Sequence, residues 1–318
     1  MQFLELLANL RTPLLDKAFL LITELGGEMA FIAISVIVFW CVSKRDGYLL
    51  LCVGFLGTVA NQFLKISFRI LRPWVANPDF SAVSEAIPEA SGFSFPSGHT
   101  QNSIGTFGSI FIITKRTWIR VISLIICILV PFSRMYLGVH TPLDVFFSFF
   151  LAILVIMVAK PLLYKAYNST KGIYIFLGAM AIIALAFLFY MEFIFDPSIL
   201  PASQMHNYIS ALKNSYMIFG ALLGVIIATP IERKRVNFST SGKWYTQIIK
   251  VLLGLTLVLG LLEGLKLPLN AIFDEYTIAR AIRYCLVVVF VIAIYPISFK
   301  WLKKFEIKIE AIKTKAKQ

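Results

Sequence analysis

The sequence predicts an all-α protein, built as a polytopic bundle of about nine transmembrane helices. Two features of its 318 residues indicate this fold. Apolar runs of spanning length recur from end to end, and a helix needs about 20 mostly apolar residues to cross a bilayer. Only 15% of the residues are charged and 58% are hydrophobic, whereas a soluble domain carries about 25% charged residues. The bilayer is therefore the solvent for most of the chain.

Nine apolar runs define the predicted spans. The third run is short for a span, and residues 1–17, ahead of the first run, are expected to lie as an amphipathic segment at the membrane interface. The spans are expected near 18–43, 47–68, 99–114, 118–137, 142–164, 173–194, 207–229, 245–265 and 279–302.

The basic residues are concentrated in every second connector, which predicts the orientation. Cytoplasmic connectors carry an excess of Lys and Arg, so the carboxyl end is expected in the cytoplasm and the connectors 69–98, 138–141, 195–206 and 266–278 outside. Compact loops and the lack of a targeting signal favour the plasma membrane, with an internal membrane left open. The basic connectors hold Lys44 and Arg45; Lys115, Arg116 and Arg120; Lys160, Lys165 and Lys171; and Arg233, Lys234, Arg235 and Lys243.

The net charge of +13 does not indicate nucleic-acid binding. The basic residues fall in short clusters between apolar runs, where they serve membrane topology. The four cysteines lie inside apolar stretches without the spacing of metal ligands, and they are expected to be small buried hydrophobes. No cofactor is expected.

The first chemical motif is Pro96-Ser97-Gly98-His99, at the start of the third apolar run. Pro, Ser and Gly ahead of a helix leave free N–H groups and the positive end of the helix dipole at one point, which suits an anion. His99 lies at the rim of this point. Alone, the motif is equally well explained as an ordinary capped turn.

The second motif runs from Ser133 to Asp144 and contains His140. Thr141 is a good N-cap and Pro142 suits the first helical position, so Asp144 falls in the first turn. There its carboxylate can accept a hydrogen bond from one imidazole nitrogen of His140, leaving the other as a neutral nucleophile or base. The alternative is that Asp144 only completes the helix start.

Three cations complete the set. Lys65 and Arg72 are two helical turns apart and project from nearly the same face, and Arg134 follows a long apolar run. Snorkelling to lipid headgroups would explain isolated cations. The loop charges place all three at one membrane face with His99 and His140. Three cations, a helix start and two histidines together predict a phosphoryl-group site.

These three segments resemble the signature of the type 2 phosphatidic acid phosphatase (PAP2) superfamily. Its pattern reads K-x6-R-P, P-S-G-H and S-R-x5-H-x3-D, and Lys65–Pro73, Pro96–His99 and Ser133–Asp144 match it without departure. The apolar chain is similar to the membrane lipid phosphatase branch rather than to the soluble haloperoxidases. The family core of about six spans implies a phosphatase core at 1–200 and a transmembrane extension at 201–318.

The resemblance implies a metal-free mechanism in which the basic residues neutralise the phosphate. Lys65, Arg72 and Arg134 would clamp its oxygens, with Ser97 and the backbone of Gly98 completing the cradle. His140 would attack phosphorus to form a phosphohistidine, and Asp144 would orient it. His99 would protonate the departing lipid oxygen and then help to activate water.

The carboxyl-terminal half holds further charges near the predicted outer face. Lys213, Glu263, Arg280 and Arg283 are either ion-paired with one another, Glu263 with one of the arginines, or contacts for a substrate headgroup. Four glycines spaced four apart permit close helix packing, either onto the core or between the protomers of a homo-oligomer. They are Gly220, Gly224, Gly260 and Gly264.

The expected activity is hydrolysis of a terminal phosphate or pyrophosphate on a membrane lipid. Phosphatidic acid, undecaprenyl pyrophosphate, phosphatidylglycerol phosphate, a lipid A phosphate and a sphingoid-base phosphate all fit. A phosphotransferase would use the same residues, and a transporter of a phosphorylated lipid would need the cations alone. His140 with Asp144 separates these alternatives, because a binding site needs neither a nucleophile nor an orienting acid.

Overall fold

The computed structural model describes residues 1–274 and 277–315, with side chains described as far as residue 307. Within these ranges all regular structure is helical, which confirms the predicted fold class. The predicted connector 266–278 includes residues 275 and 276, and the predicted extension includes 316–318; these five positions lie outside the described residues.

The first half of the chain forms nine α-helices, several of which begin at the residues that the sequence marks as caps. Thr12 caps the second helix by accepting from the N–H of Leu15, and Pro13 follows at its first position. The helices are α1 (Gln2–Ala8), α2 (Pro13–Glu24), α3 (Glu28–Cys41), α4 (Lys44–Phe68), α5 (Pro73–Ala76), α6 (Gly98–Ser103), α7 (Ser109–Ile113), α8 (Thr117–Tyr136) and α9 (Pro142–Tyr167).

The second half continues with longer helices, three of which run on into π-helical turns. These turns cover Tyr190–Ile194, Glu232–Val236 and Phe290–Ile294. The helices are α10 (Thr170–Phe189), α11 (Met205–Ile231), α12 (Trp244–Gly264), α13 (Lys266–Asn270), α14 (Ile278–Val289) and α15 (Phe299–Lys315).

Seven helical segments in the described part of the chain are long and apolar enough to cross a bilayer, and eight if one bent pair counts as a single span. By length and composition this is one or two fewer than the roughly nine spans that the sequence predicts. The seven are Lys44–Ala76, Thr117–Tyr136, Pro142–Tyr167, Thr170–Ile194, Ala202–Val236, Trp244–Asn270 and Ile278–Ile307.

The predicted third span, 99–114, is the one that falls short. It consists of α6, a π-helical turn at Ile104–Gly108, and α7. At 1.5 Å per residue, the stretch from 98 to 113 reaches about 24 Å, less than the roughly 30 Å of a hydrocarbon core. Gly98 at its start and Thr114-Lys115-Arg116 at its end set this length.

The predicted first span, 18–43, is bent rather than straight. Helices α2 and α3 meet at 46° around Gly26 and Gly27. A Cβ atom at Gly26 would lie 2.7 Å from the carbonyl oxygen of His99 and 2.7 Å from Cγ1 of Val130. Glycine is thus required where the bend closes onto the start of α6 and onto α8.

The chain divides into two compact units, each made of three separate stretches of sequence. The first comprises Met1–Ser35, Leu49–Lys165 and Ala186–Ser215, and the second comprises Val36–Tyr48, Ala166–Leu185 and Tyr216–Gln318. The domain boundary expected at residue 200 stays a prediction.

In the first unit, helix α8 is the central element. α2 packs along it, and both α6 and α7 contact it. The aromatic ring of Phe19 on α2 lies 4.3 Å from Tyr136 and 5.6 Å from Phe132, measured between centroids. The buried end of α8, which carries Arg134, is thereby fixed against α2 and α6.

In the second unit, glycines allow α11 to pack closely on α14. A Cβ at Gly220 would lie 2.1 Å from the carbonyl oxygen of Ala281, and one at Gly224 would lie 2.6 Å from that of Cys285. These two glycines thus allow close packing, but between two helices of the carboxyl-terminal half rather than onto the core or between protomers. Gly260 and Gly264 have no atom within 4 Å of a Cβ position, so their role in a homo-oligomer stays a prediction.

The ion pair expected between Glu263 and an arginine of α14 is not formed. Within the described residues, Glu263 is exposed and the guanidinium groups of Arg280 and Arg283 instead lie over the ring of Tyr284, at 5.6 and 5.7 Å from its centroid. The buried ion pair of this unit is Lys44 with Glu232, at 2.6 Å.

Candidate active site

The first motif forms a capped helix start, as the sequence predicts. Ser97 is the N-cap of α6, and its hydroxyl oxygen accepts from the N–H of Thr100 at 3.4 Å and from the hydroxyl of Thr100 at 3.0 Å. The N–H of Ser97 donates to the main-chain carbonyl of Asp144 at 3.2 Å. The next two N–H groups, those of Gly98 and His99, have no acceptor among the described residues, so they remain available to an anion.

Asp144 completes the helix start and also lies next to His140. Its Oδ2 accepts from the N–H of Thr141 at 2.8 Å, while the Thr141 hydroxyl accepts from the N–H of Asp144 at 3.3 Å, which is a capping box. The same Oδ2 lies 3.5 Å from Nδ1 of His140. This separation is longer than a normal hydrogen bond.

Arg72 contacts both ring nitrogens of His140. Its Nη1 lies 2.7 Å from Nε2 and 3.4 Å from Nδ1 of the imidazole, and 2.9 Å from the carbonyl oxygen of Val139. The guanidinium therefore lies against the ring rather than in line with one nitrogen. A ring proton on Nδ1 would face the carboxylate of Asp144 and leave the lone pair on Nε2.

The segment Ser91–Ser94 holds three of these side chains in place. Its carbonyl oxygens accept from Arg72, at 2.8 Å from Nη2 to Ser91 and 3.1 Å from Nε to Gly92, and from Nζ of Lys65 at Phe93. The hydroxyl of Ser94 donates to Oδ2 of Asp144 at 2.6 Å. Gly92 has a φ of +72°, a conformation that favours glycine.

Arg134 is fully buried, and two of its three guanidinium nitrogens have no hydrogen-bond partner among the described residues. Its Nη1 donates to the hydroxyl oxygen of Thr23 on α2 at 2.8 Å, but Nε and Nη2 have no partner within the described ranges. Its carbonyl oxygen accepts from the N–H groups of Val139 and His140 at 3.1 and 3.3 Å. The main chain of Arg134 is thus held next to His140, and one edge of its guanidinium is free for an anion.

The electrostatic environment keeps His140 neutral. Burial, and then the positive charges of Arg72, Arg134 and Lys65, lower the pKa of His140 well below its ordinary value. A neutral imidazole with a free Nε2 lone pair is the form that can attack phosphorus.

The structure brings together all the motif residues that the sequence singled out. His99 lies within electrostatic range of Arg134, His140, Arg72 and Lys65. The four residues of the carboxyl-terminal half are distributed differently: Lys213 belongs to the first unit, and Glu263, Arg280 and Arg283 belong to the second.

Sequence reasoning missed the residues that hold the site from outside the motifs. Ser94 and Thr23 contribute hydroxyls, and Ser91, Gly92 and Phe93 contribute main-chain carbonyl oxygens. Carbonyl acceptors are present at every residue, so nothing in the sequence marks these three. Ser94 lies two residues ahead of Pro96, and proximity to the motif was its only signal.

Comparisons with known proteins assign the sequence to one family. Residues 47–168 match the PAP2 superfamily, and residues 216–306 match the PAP2 superfamily phosphatase transmembrane extension. The first match contains all three motifs. A search of solved structures found no significant match.

The similar curated proteins act on different lipids. Phosphatidylglycerophosphatase B of Bacillus subtilis is 30% identical over 166 residues, which is 48% of this chain and 76% of that protein. An undecaprenyl-diphosphatase of Sulfolobus acidocaldarius is 27% identical, covering 41% of this chain and 62% of that protein. Mouse sphingosine-1-phosphate phosphatase 1 is 31% identical, covering 48% of this chain and 36% of that protein.

The fold and the site define a multi-span membrane protein in which a buried histidine contacts an arginine and an aspartate. The chain belongs to the PAP2 superfamily and is a membrane lipid phosphatase of that family.

Proposed function

We propose that the protein hydrolyses the terminal phosphate of a membrane lipid through a phosphohistidine on His140. The observation that carries this proposal is the pair of contacts on its imidazole. Asp144, 3.5 Å from Nδ1, favours the tautomer with its proton on Nδ1, whose Nε2 lone pair can attack, and Arg72 lies 2.7 Å from that Nε2.

Open donors surround the point of attack. The free edge of Arg134 and the N–H groups of Gly98 and His99 would take the equatorial oxygens of the phosphoryl group, with Lys65 and Arg72 beside them. Ser97 keeps its own hydroxyl proton to donate, because its oxygen is used here only as an acceptor. Charge stabilisation of this kind is what phosphoryl transfer requires.

The two chemical steps need no group beyond these residues and water. Nε2 of His140 forms a bond to phosphorus as the bond to the lipid oxygen breaks, and that oxygen takes a proton from His99. His99 then removes a proton from water, whose oxygen displaces Nε2 and releases inorganic phosphate. The bound phosphate dianion favours the protonated form of His99 that the first step uses.

We propose that the reaction is metal-independent. The site presents guanidinium, ammonium and N–H groups, which bind anions and repel metal cations. Among the residues that the structure describes, no three His, Cys, Asp or Glu side chains are grouped to hold a metal ion.

The test is phosphate release by purified protein in EDTA. A panel of phosphatidic acid, phosphatidylglycerol phosphate, undecaprenyl pyrophosphate and sphingoid-base phosphates would be compared across wild type, His140→Ala and His206→Ala. Phosphate release should be unchanged by EDTA and by His206→Ala, a change at an exposed position, but should disappear in His140→Ala. The order of release rates across the lipids identifies the substrate. Rapid quenching should trap an acid-labile, alkali-stable phosphoenzyme. Lipid binding without release would instead favour a transporter, and release that depends on a second lipid acceptor would favour a phosphotransferase.

We further propose that substrate selection uses charges of the carboxyl-terminal half: Lys213, Glu263, Arg280 and Arg283. The support is that Nε of Arg280 and of Arg283 is buried without a partner among the described residues, so both can take an additional anionic oxygen. Arg283→Ala should raise KM for some lipids and not for others. An equal loss for every lipid, or loss of folded protein, would contradict a headgroup role.

The proposed location is the plasma membrane, with the catalytic residues on the external face and the carboxyl terminus in the cytoplasm. The support is the alternation of basic connectors. Two reporters with an added cysteine, Glu85→Cys and Lys234→Cys, test it in intact cells with a membrane-impermeant maleimide, and the wild type with its four native cysteines gives the background. Both positions are exposed. Labelling at 85 and not at 234 is expected, and the reverse pattern would invert the orientation.

A further inference from the structure

A second polar cavity lies wholly within the second unit, away from the catalytic motifs in sequence. It has a volume of about 200 Å³ and lies between the 237–250 segment and the start of α15. Its lining includes Ser239, Ser241, Lys250, Phe299, Lys300 and Lys303.

Lys250 is the unusual residue of this cavity. It lies in the second turn of α12 and is only 3% exposed. Its ammonium nitrogen lies 4.6 Å from the centroid of the Phe299 ring, a cation–π contact that offsets part of the cost of burial. No carboxylate in the described part of the chain forms an ion pair with it. A cation that is buried this close to a membrane usually has an anionic partner.

Glu306 lines the same cavity but does not fill this role. Its Oε2 accepts from the N–H of Lys243 at 3.2 Å and from the hydroxyl of Thr246 at 3.1 Å. It forms no ion pair with Lys250, Lys300 or Lys303 among the described residues. The three lysines therefore leave the cavity with a positive excess.

Hydroxyl groups supply further donors at the mouth. The side-chain oxygens of Ser239 and Ser241 are 2.7 Å apart, and the N–H of Ser241 donates to the Ser239 oxygen at 3.2 Å. One hydroxyl proton of the pair remains free to bind outward. Ammonium and hydroxyl donors converging on one space suit a tetrahedral oxyanion.

The surrounding residues indicate the depth of the cavity in the membrane. Trp244 and Trp301 adjoin its lining in sequence and are 75% and 73% exposed. Exposed tryptophans collect at the level of the lipid headgroups. The basic connector before α12 belongs to the face that the loop charges assign to the cytoplasm.

We propose that this cavity binds a phosphate group, held by Lys250 with Lys300, Lys303 and the two serine hydroxyls. Its source is either the headgroup of an anionic lipid in the cytoplasmic leaflet or free inorganic phosphate. The depth set by the two tryptophans favours the lipid. The site is independent of the catalytic one, since no motif residue contributes to it.

The experiment measures thermal unfolding of the full-length protein in nanodiscs. Wild type is compared with Lys250→Met, Lys303→Gln and Lys304→Gln. Lys304 is the matched control, because it is exposed and adjacent to Lys303 but does not line the cavity. The catalytic site is intact in every variant, so its own phosphate binding contributes equally. Each variant is titrated with inorganic phosphate in phosphatidylcholine discs, and separately with increasing phosphatidylglycerol in the discs.

The ligand concentration needed for a given rise in Tm should be about ten-fold higher in Lys250→Met than in wild type. It should also be higher in Lys303→Gln, while Lys304→Gln matches wild type. A difference seen only with phosphatidylglycerol identifies the lipid headgroup, and one seen with inorganic phosphate in neutral discs identifies the free ion. If all four proteins respond alike to both ligands, the proposal is overturned. Lys303→Gln, at an exposed position, keeps the test valid if Lys250→Met does not fold.

Discussion

Ser94 offers a sharp test of how the catalytic pair is held, because it lies outside the family motifs. Its hydroxyl donates at 2.6 Å to the same carboxylate oxygen of Asp144 that faces His140. In Ser94→Ala that oxygen keeps the N–H of Thr141 but loses its shortest donor. A hydrogen bond to a charged group contributes about 1.5–3 kcal/mol. If this energy orients Asp144 towards Nδ1 in the transition state, kcat should fall about ten- to a hundred-fold, with little change in KM.

The matched control is Ser148→Ala. Ser148 is equally buried, and its hydroxyl donates to the main-chain carbonyl of Asp144 at 2.7 Å rather than to the carboxylate. It should therefore change kcat by no more than about three-fold. Both variants would be assayed on the preferred lipid phosphate in mixed micelles, beside thermal unfolding. Equal losses in the two variants, or a Ser94→Ala enzyme with the kcat of wild type, would refute the orienting role.

Three further predictions address the phosphate clamp, the ionisation of the nucleophile and helix packing. Thr23→Val removes the hydroxyl that holds Arg134, so kcat/KM should fall about ten-fold; Thr106→Val, which removes a buried hydroxyl without a partner, should leave it unchanged. Because the pKa of His140 is lowered, its ¹⁵N signals should remain those of neutral imidazole as the pH falls through about 6.5. There the unfolded state binds one more proton than the native state, so acidification lowers the free energy of unfolding; a cationic spectrum at pH 6 would contradict this. Gly220→Ala places a Cβ 2.1 Å from a carbonyl oxygen of α14 and should lower Tm by an amount equivalent to about 1–3 kcal/mol, whereas alanine at an open glycine of α12 should not.

The parts of the site that the sequence predicts are those with a local physical signature. Pro96-Ser97-Gly98 specifies a helix start from three adjacent residues, and Thr141 with Asp144 specifies another. The loop charges then place both starts on one face, where the structure finds them together. The residue types near each helix start, together with the loop charges, were sufficient to predict both helix starts and their common membrane face.

The parts that were missed depend on tertiary packing. Nothing in the residues around Gly26 shows that α2 must approach the carbonyl of His99, so a bent pair was predicted as one straight span. Glu263 was expected to pair with an arginine of α14 because opposite charges fell near one face. The structure instead stacks Arg280 on Tyr284, since side-chain direction on a helix is not determined by position along the membrane normal.

The contact between Arg72 and Nε2 of His140 has a consequence for chemical selectivity. The guanidinium lies against the imidazole, 2.7 Å from the nitrogen proposed to attack phosphorus, and so covers it. An uncharged electrophile cannot draw that guanidinium away and meets a nucleophile that is covered. A phosphate ester can, because its oxygens compete for the same donor as it arrives. The substrate's own charge is then what exposes the histidine, and neutral alkylating reagents should spare His140 in the intact protein.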